Sequence, residues 1–117
     1  MDVTDETFEQ EVVERSHEAP VVVDFWAGWC GPCLMLGPLL ERETASRGGR
    51  VVLAKVDVDA NMGLARRFRI SGIPSVKVFW RGGIVHEFVG VQPPAALARL
   101  YDALVRLPEE TAAEAAG

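Results

Sequence analysis

The 117-residue sequence predicts an α/β domain with a mixed central sheet and helices on both faces. Three observations lead there. Apolar runs of strand length alternate with segments of helical period, the order that parallel strands joined by crossover helices produce. Residues 21–26 are apolar or aromatic except for Asp24, the pattern of a strand buried on both faces. Two later strand-like runs flank Gly82-Gly83, a hairpin signal that adds an antiparallel pair to the second half.

Residues 6–16 read as the first helix, with Phe8, Val12 and Val13 on one face and Thr4 or Asp5 available to cap it. After the strand at 21–26, Leu34, Met35, Leu36, Leu39 and Leu40 are dense enough for a long core helix. Pro38 is expected to kink it and Gly48-Gly49 to end it. Residues 51–57 form a second strand. Residues 62–68 form a short helix with Leu64, Ala65 and Phe68 inward. The hairpin strands span 75–81 and 84–89. Pro94 is placed to open the last helix, whose stripe of Leu97, Leu100, Tyr101 and Leu104 runs up to Leu107. Residues 1–107 are then the domain. Residues 108–117, acidic and alanine-rich, read as a flexible tail or the stub of a longer chain.

Charge and hydropathy exclude several functions. Twelve Lys and Arg against seventeen Asp and Glu give a net charge of −5, whereas phosphate binding needs a basic face, so nucleic acid is not the expected partner. No apolar run approaches the roughly 20 residues of a membrane span. The start, Met1 to Glu6, is acidic and lacks the basic and apolar regions of a secretory signal, so a cytoplasmic protein is expected.

The two cysteines, Cys30 and Cys33, are separated by two residues. A disulfide between them closes too short a loop to act as a structural staple. With His17 and His86 they would supply four ligands in number, but their order and spacing match no zinc module. Both histidines read as surface residues, and Arg66, Arg67 and Arg69 as a small solvated basic face. What is left for the cysteines is a redox pair in a reducing compartment. The pair follows a buried strand and opens the next helix, where free backbone N–H groups and the helix dipole favour an anion such as a thiolate. Cys30, at the exposed start of the turn, is then the attacking sulfur, and Cys33, one turn into the helix, the resolving one. Asp24 is costly to bury charged, so its pKa should rise. The competing reading is a strand-end aspartate that reaches solvent.

The block Asp24-Phe25-Trp26-Ala27-Gly28-Trp29-Cys30-Gly31-Pro32-Cys33, with Lys55-Val56-Asp57 and Gly72-Ile73-Pro74 downstream, closely resembles the thioredoxin family over residues 3–107. The resemblance implies the thioredoxin fold and a monomeric thiol–disulfide oxidoreductase that reduces protein disulfides through its Cys-Gly-Pro-Cys dithiol. It implies no bound cofactor, with electrons drawn from NADPH indirectly through a thioredoxin reductase. Asp24 would exchange a proton with Cys33, and Lys55 would lie near Asp24. The Ile73-Pro74 bond would be cis and face the cysteines, with the Ile73 backbone pairing with an extended client segment. Trp29, Val58, Gly72, Ile73, Pro74, Val89, Gly90 and Val91 would form an apolar apron for disulfide-containing proteins. Gly31 and Pro32 between the cysteines resemble the reducing members.

Three positions depart from the usual family pattern. Gly28 stands where an acidic residue is frequent, Leu34 where Lys or Arg is usual, and Trp80 where lysine is common. The first two make the rim of the pair more apolar. A second resemblance, to the thioredoxin domain of tetratricopeptide co-chaperones that hold unfolded clients, draws on residues 72–79, Phe88-Val89-Gly90 and Pro93-Pro94, and Leu34, Trp80 and the 108–117 stub fit it.

Overall fold

Strand β1 (Val21–Trp26) has hydrogen-bonded neighbours on both edges in this computed structural model, which describes residues 1–116. On one edge β2 (Val52–Asp57) runs parallel, with Asp24 opposite Lys55 and Trp26 opposite Asp57. On the other, β3 (Ser75–Trp80) runs antiparallel, with Phe25 opposite Ser75. β4 (Gly83–Val89) pairs antiparallel with β3 and forms the outer edge, so the order is β2-β1-β3-β4. The mixed sheet is the one the sequence predicts.

The pleat sends alternate residues of β1 into two separate cores. Val21, Val23 and Phe25 join Phe8, Val12 and Leu64, from the first helical segment and α2 (Met62–Arg67). Phe8, Phe25, Phe68 and Phe79 meet there at tilted or edge-on angles with centroids 5.3–5.8 Å apart, the geometry aromatic quadrupoles favour. Val22 joins Leu36, Leu40, Leu97 and Tyr101 on the other face, under α1 (Gly31–Ala45) and α3 (Pro94–Ala116). Asp24, two residues after Val22, lies on this second face. Tyr101 is fully buried with its hydroxyl 2.8 Å from Thr44 Oγ1, and burial pushes its pKa up to about 12.

Several local expectations need correction. The first helix is not one α-helix over 6–16 but a wide π-helical turn, Glu9–Glu14, followed by a tight turn, Arg15–His17. Neither Thr4 nor Asp5 caps it through a side chain; Asp5 Oδ1 instead accepts the Leu64 N–H at 2.8 Å in the first turn of α2. Gly63 allows that approach, since a Cβ there would lie 3.2 Å from the Asp5 carboxylate. Buried Ser16 accepts the Arg81 and Gly82 N–H groups on its carbonyl and hydroxyl, at 2.9 and 2.8 Å, and so ties the first helical segment to the hairpin. The hairpin loop is Arg81-Gly82 rather than Gly82-Gly83. Both residues have positive φ, 53° and 83°, which is the twist a two-residue loop needs.

α1 continues through Pro38, and α3 does not stop at Leu107 but runs through Pro108 to Ala116. Thr111 explains the extension. Its hydroxyl accepts the Trp80 Nε1–H at 3.0 Å and donates to the Leu107 carbonyl, anchoring the last turns to the sheet. Trp80 is therefore buried at the far end of β3 and forms no part of an apolar rim. Of the expected tail, Gly117 lies outside the described residues.

Asp5→Ala should lower the urea midpoint by an amount equivalent to about 1 kcal/mol with an unchanged m-value, because it leaves the Leu64 N–H at the start of α2 without its acceptor.

Candidate active site

The register aligns the end of β1, the end of β2, the start of β3 and the end of β4 at one edge of the sheet: Trp26 beside Asp57, Phe25 beside Ser75, and Ser75 beside Val89. The chain leaves β1 there, turns through 27–29 and starts α1 at Cys30, whose N–H donates to the Ala27 carbonyl at 3.1 Å. Cys30 has extended backbone angles and is the N-cap of α1, its Sγ accepting the Cys33 N–H at 3.2 Å. Pro32 occupies the first turn, where its missing N–H leaves no bond unmade.

Cys30 and Cys33 form a disulfide with Cα atoms 5.2 Å apart, packed with Ala27, Trp26, Val58 and Ile73. The expected contrast in exposure is absent: Cys30 is 5% exposed and Cys33 3%. Position at the helix start does not by itself expose a side chain, and here Val58 and Ile73 from other segments pack against the pair. What distinguishes Cys30 is the N–H donated to its sulfur and its place at the positive end of α1.

Asp24 is 1% exposed and, among the described residues, neither carboxylate oxygen has a hydrogen-bond partner, so it does not reach solvent. Burial pushes its pKa up to about 6; the Lys55 cation opposes the rise and the Glu41 carboxylate adds to it. Lys55 faces Asp24 across the β1–β2 ladder, but its Nζ lies 3.4 Å from Glu41 Oε1 and 4.9 Å from the Trp26 ring centroid. Lys55 therefore acts on Asp24 through its field rather than through a hydrogen bond.

The Ile73-Pro74 bond is cis, and the Ile73 carbonyl oxygen lies 3.8 Å from Cys30 Sγ. Apart from that approach, the Ile73 N–H and C=O have no partner among the described residues. Pro74 is buried, and its carbonyl accepts the Gly90 N–H at 2.8 Å. A Cβ on Gly72 would lie 3.4 Å from the Val89 side chain, so 72–74 and 89–90 form one continuous rim. Trp29 is 71% exposed, and Gly31, Pro32, Leu34, Val89 and Val91 are exposed as well. His17 and His86 are exposed, as expected.

Sequence reading missed three groups. Asp59 Oδ2 accepts the Trp29 Nε1–H at 2.8 Å, a pairing across 30 residues with no local signal. Glu41 could have been found, since Cys33, Gly37 and Glu41 share one face of α1 at helical spacing. The third is a cleft of about 470 Å³ that borders Trp29, Val58 and Ile73 on one side and Met62, Arg66 and Arg69 on the other.

A family model described as thioredoxin matches residues 1–103. The chain belongs to the thioredoxin family. It is 48% identical over 105 residues to a thioredoxin of Mycolicibacterium smegmatis, covering 87% of this chain and 92% of that one. It is 43% identical over 97 residues to a thioredoxin of Streptomyces clavuligerus, with 83% and 88% covered. A bifunctional thioredoxin reductase/thioredoxin of Mycobacterium leprae is 42% identical over 99 residues, which are 85% of this chain and 21% of that protein. With its Cys30–Cys33 pair the protein is a thiol–disulfide oxidoreductase acting as a disulfide reductase. Similarity to thioredoxins over most of their length favours this over the co-chaperone reading. Thioredoxins carry no bound cofactor, and among the described residues no group of His, Cys, Asp and Glu is placed to hold a metal. No helix among them is long and apolar enough to cross a membrane.

A carboxyl whose pKa rises from 3.8 to about 6 on folding binds its proton more tightly in the native state, so its contribution falls as pH climbs through this window and is flat above it. Asp24→Asn should therefore raise stability at pH 7 by about 1–3 kcal/mol, and the gain should shrink toward zero at pH 4. Urea unfolding of the oxidised protein at both pH values checks it.

Proposed function

We propose that Cys30 is the attacking sulfur, Cys33 the resolving one and Asp24 the proton acceptor in reduction of protein disulfides. The observation that carries this reading is the Cys33 N–H bonded to the Cys30 sulfur at the start of α1, an arrangement that favours negative charge on Cys30. The Cys30 thiolate attacks one client sulfur; the client S–S bond breaks, and the other sulfur leaves as a thiolate that takes a proton from water. Asp24 accepts the Cys33 proton, directly or through water, and the Cys33 thiolate attacks Cys30 Sγ. The Cys30–client bond breaks and the second client thiolate leaves, taking up a proton. The client gains two electrons and two protons, and Cys30 and Cys33 become the disulfide.

Asp24 suits its role because a carboxyl with a pKa of about 6 holds and yields a proton close to neutrality. Lys55 keeps that pKa from climbing further. Trp29, Gly31, Pro32, Val58, Gly72, Ile73, Pro74, Val89, Gly90 and Val91 serve as the client surface. The unpartnered Ile73 main chain supports strand-like pairing with an extended client. The dithiol is restored by a thioredoxin reductase that draws on NADPH; the reductase joined to the thioredoxin in the Mycobacterium leprae relative supports that partner. The protein works as a cytoplasmic monomer.

Insulin reduction with NADPH and thioredoxin reductase tests the activity. Wild type should turn over insulin, Cys30→Ser should do nothing, and Cys33→Ser should stop at a stable mixed disulfide through Cys30. Limited iodoacetamide on the reduced protein should label Cys30 first, and preferential labelling of Cys33 would reverse the two roles. Asp24→Asn should slow turnover at pH 7 by about 100-fold, the lower end of what a lost general base costs.

A further inference from the structure

We infer that the cleft beside Trp29 selects clients with acidic side chains next to the target cysteine, and that Arg66 and Arg69 read that charge. The inference rests on the reductase reading above and names the client class for the same site.

The cleft of about 470 Å³ shares Val58 and Ile73 with the packing around the disulfide, and Trp29, which also lines it, directly precedes Cys30, so a client held at Cys30 lies along it. An extended segment advances about 3.3 Å per residue, which brings residues about one to three positions from the target cysteine over the cleft. The floor is apolar, but two arginines reach it from the α2 side against one aspartate. That aspartate, Asp59, is already engaged by Trp29 Nε1–H.

Arg66 and Arg69 are exposed and take part in no ion pair among the described residues. Arg67, between them in sequence, is different: it pairs with Glu9 and lies over the Phe8 and Phe68 rings. The three arginines thus divide into one committed to the fold and two left free at the cleft. Arg69 also holds a left-handed backbone, φ 51°, which a glycine would adopt at lower cost. In a protein of net charge −5, acidic clients are repelled at long range, so a local pair of unpaired cations is where charge can reward them.

The test uses three synthetic peptides that share one disulfide and carry glutamates, glutamines or lysines within three positions of one cysteine. Rates are divided by the rate with dithiothreitol, which removes intrinsic differences among the disulfides. Wild type at low salt should prefer the glutamate over the glutamine peptide by about fivefold in kcat/KM, and 0.5 M NaCl should erase most of that preference. R66Q/R69Q should bring the ratio close to one, while R66K/R69K should keep it. Because each ratio is internal to one protein, partial misfolding does not mimic the result. Equal rates for all peptides, or a preference that survives R66Q/R69Q, would overturn the inference and leave the reductase reading intact. Arginine dependence confined to the KM for thioredoxin reductase would overturn it by assigning the cleft to that partner. Failure to reduce any of the peptides, with insulin also untouched, would overturn both.

Discussion

The burial of β1 on both faces, with hydrogen-bonded strands on both edges, is the constraint on which the active site depends. A strand enclosed in this way has no freedom to slip, because a shift of one residue would carry Asp24 into the phenylalanine layer and Phe25 under α1. The same register sets where the neighbouring chains end. Trp26 beside Asp57, Phe25 beside Ser75 and Ser75 beside Val89 bring four segments to one edge of the sheet. The disulfide, the cis-proline loop and the rim at 89–90 meet there because the ladders leave them no other place.

Asp24 works against that burial. Its two oxygens have no hydrogen-bond partner among the described residues, and burial alone favours the neutral acid. Lys55 and Glu41 oppose each other in their effect on it, and Glu41 also takes up the Lys55 ammonium. The net result is a carboxyl with a pKa of about 6, neither locked in the charged form by a salt bridge nor fully neutral. A direct Asp24–Lys55 ion pair would stabilise the carboxylate and lower its pKa, making it a poorer proton acceptor. Keeping Lys55 on Glu41 and the Trp26 face leaves the acid adjustable.

Features confined to one segment were legible in the sequence. The strand at 21–26, the opening of a helix at the cysteine pair, the amphipathic stripe of α3 and the raised pKa of Asp24 all follow from residues adjacent or one helical turn apart. Asp5 capping α2, Ser16 holding the hairpin, Trp29 on Asp59 and Thr111 under Trp80 join groups 30 to 66 residues apart, and no local pattern marks them. The same limit explains the misjudged ends and exposures. Pro108 signals a helix stop unless a distant tryptophan holds the next turn. Its own segment leaves Cys30 exposed; Val58 and Ile73, from the turn after β2 and the loop before β3, cover it.

This division also separates chemistry from recognition. The reactive pair, its helix start and Asp24 lie within ten consecutive residues, 24–33, so their geometry is set by one strand–turn–helix unit. The surface around them comes from 58–73 and 89–90, segments that contribute few groups to the chemistry. Substitutions on α2 can therefore change which disulfides are approached while leaving the N–H···S contact and the buried carboxyl as they are. The rim residues follow this pattern. Gly28 and Leu34 put no charge beside the cysteines, so the cations at the cleft are Arg66 and Arg69, which take part in no ion pair among the described residues and lie on the side of the proposed client path.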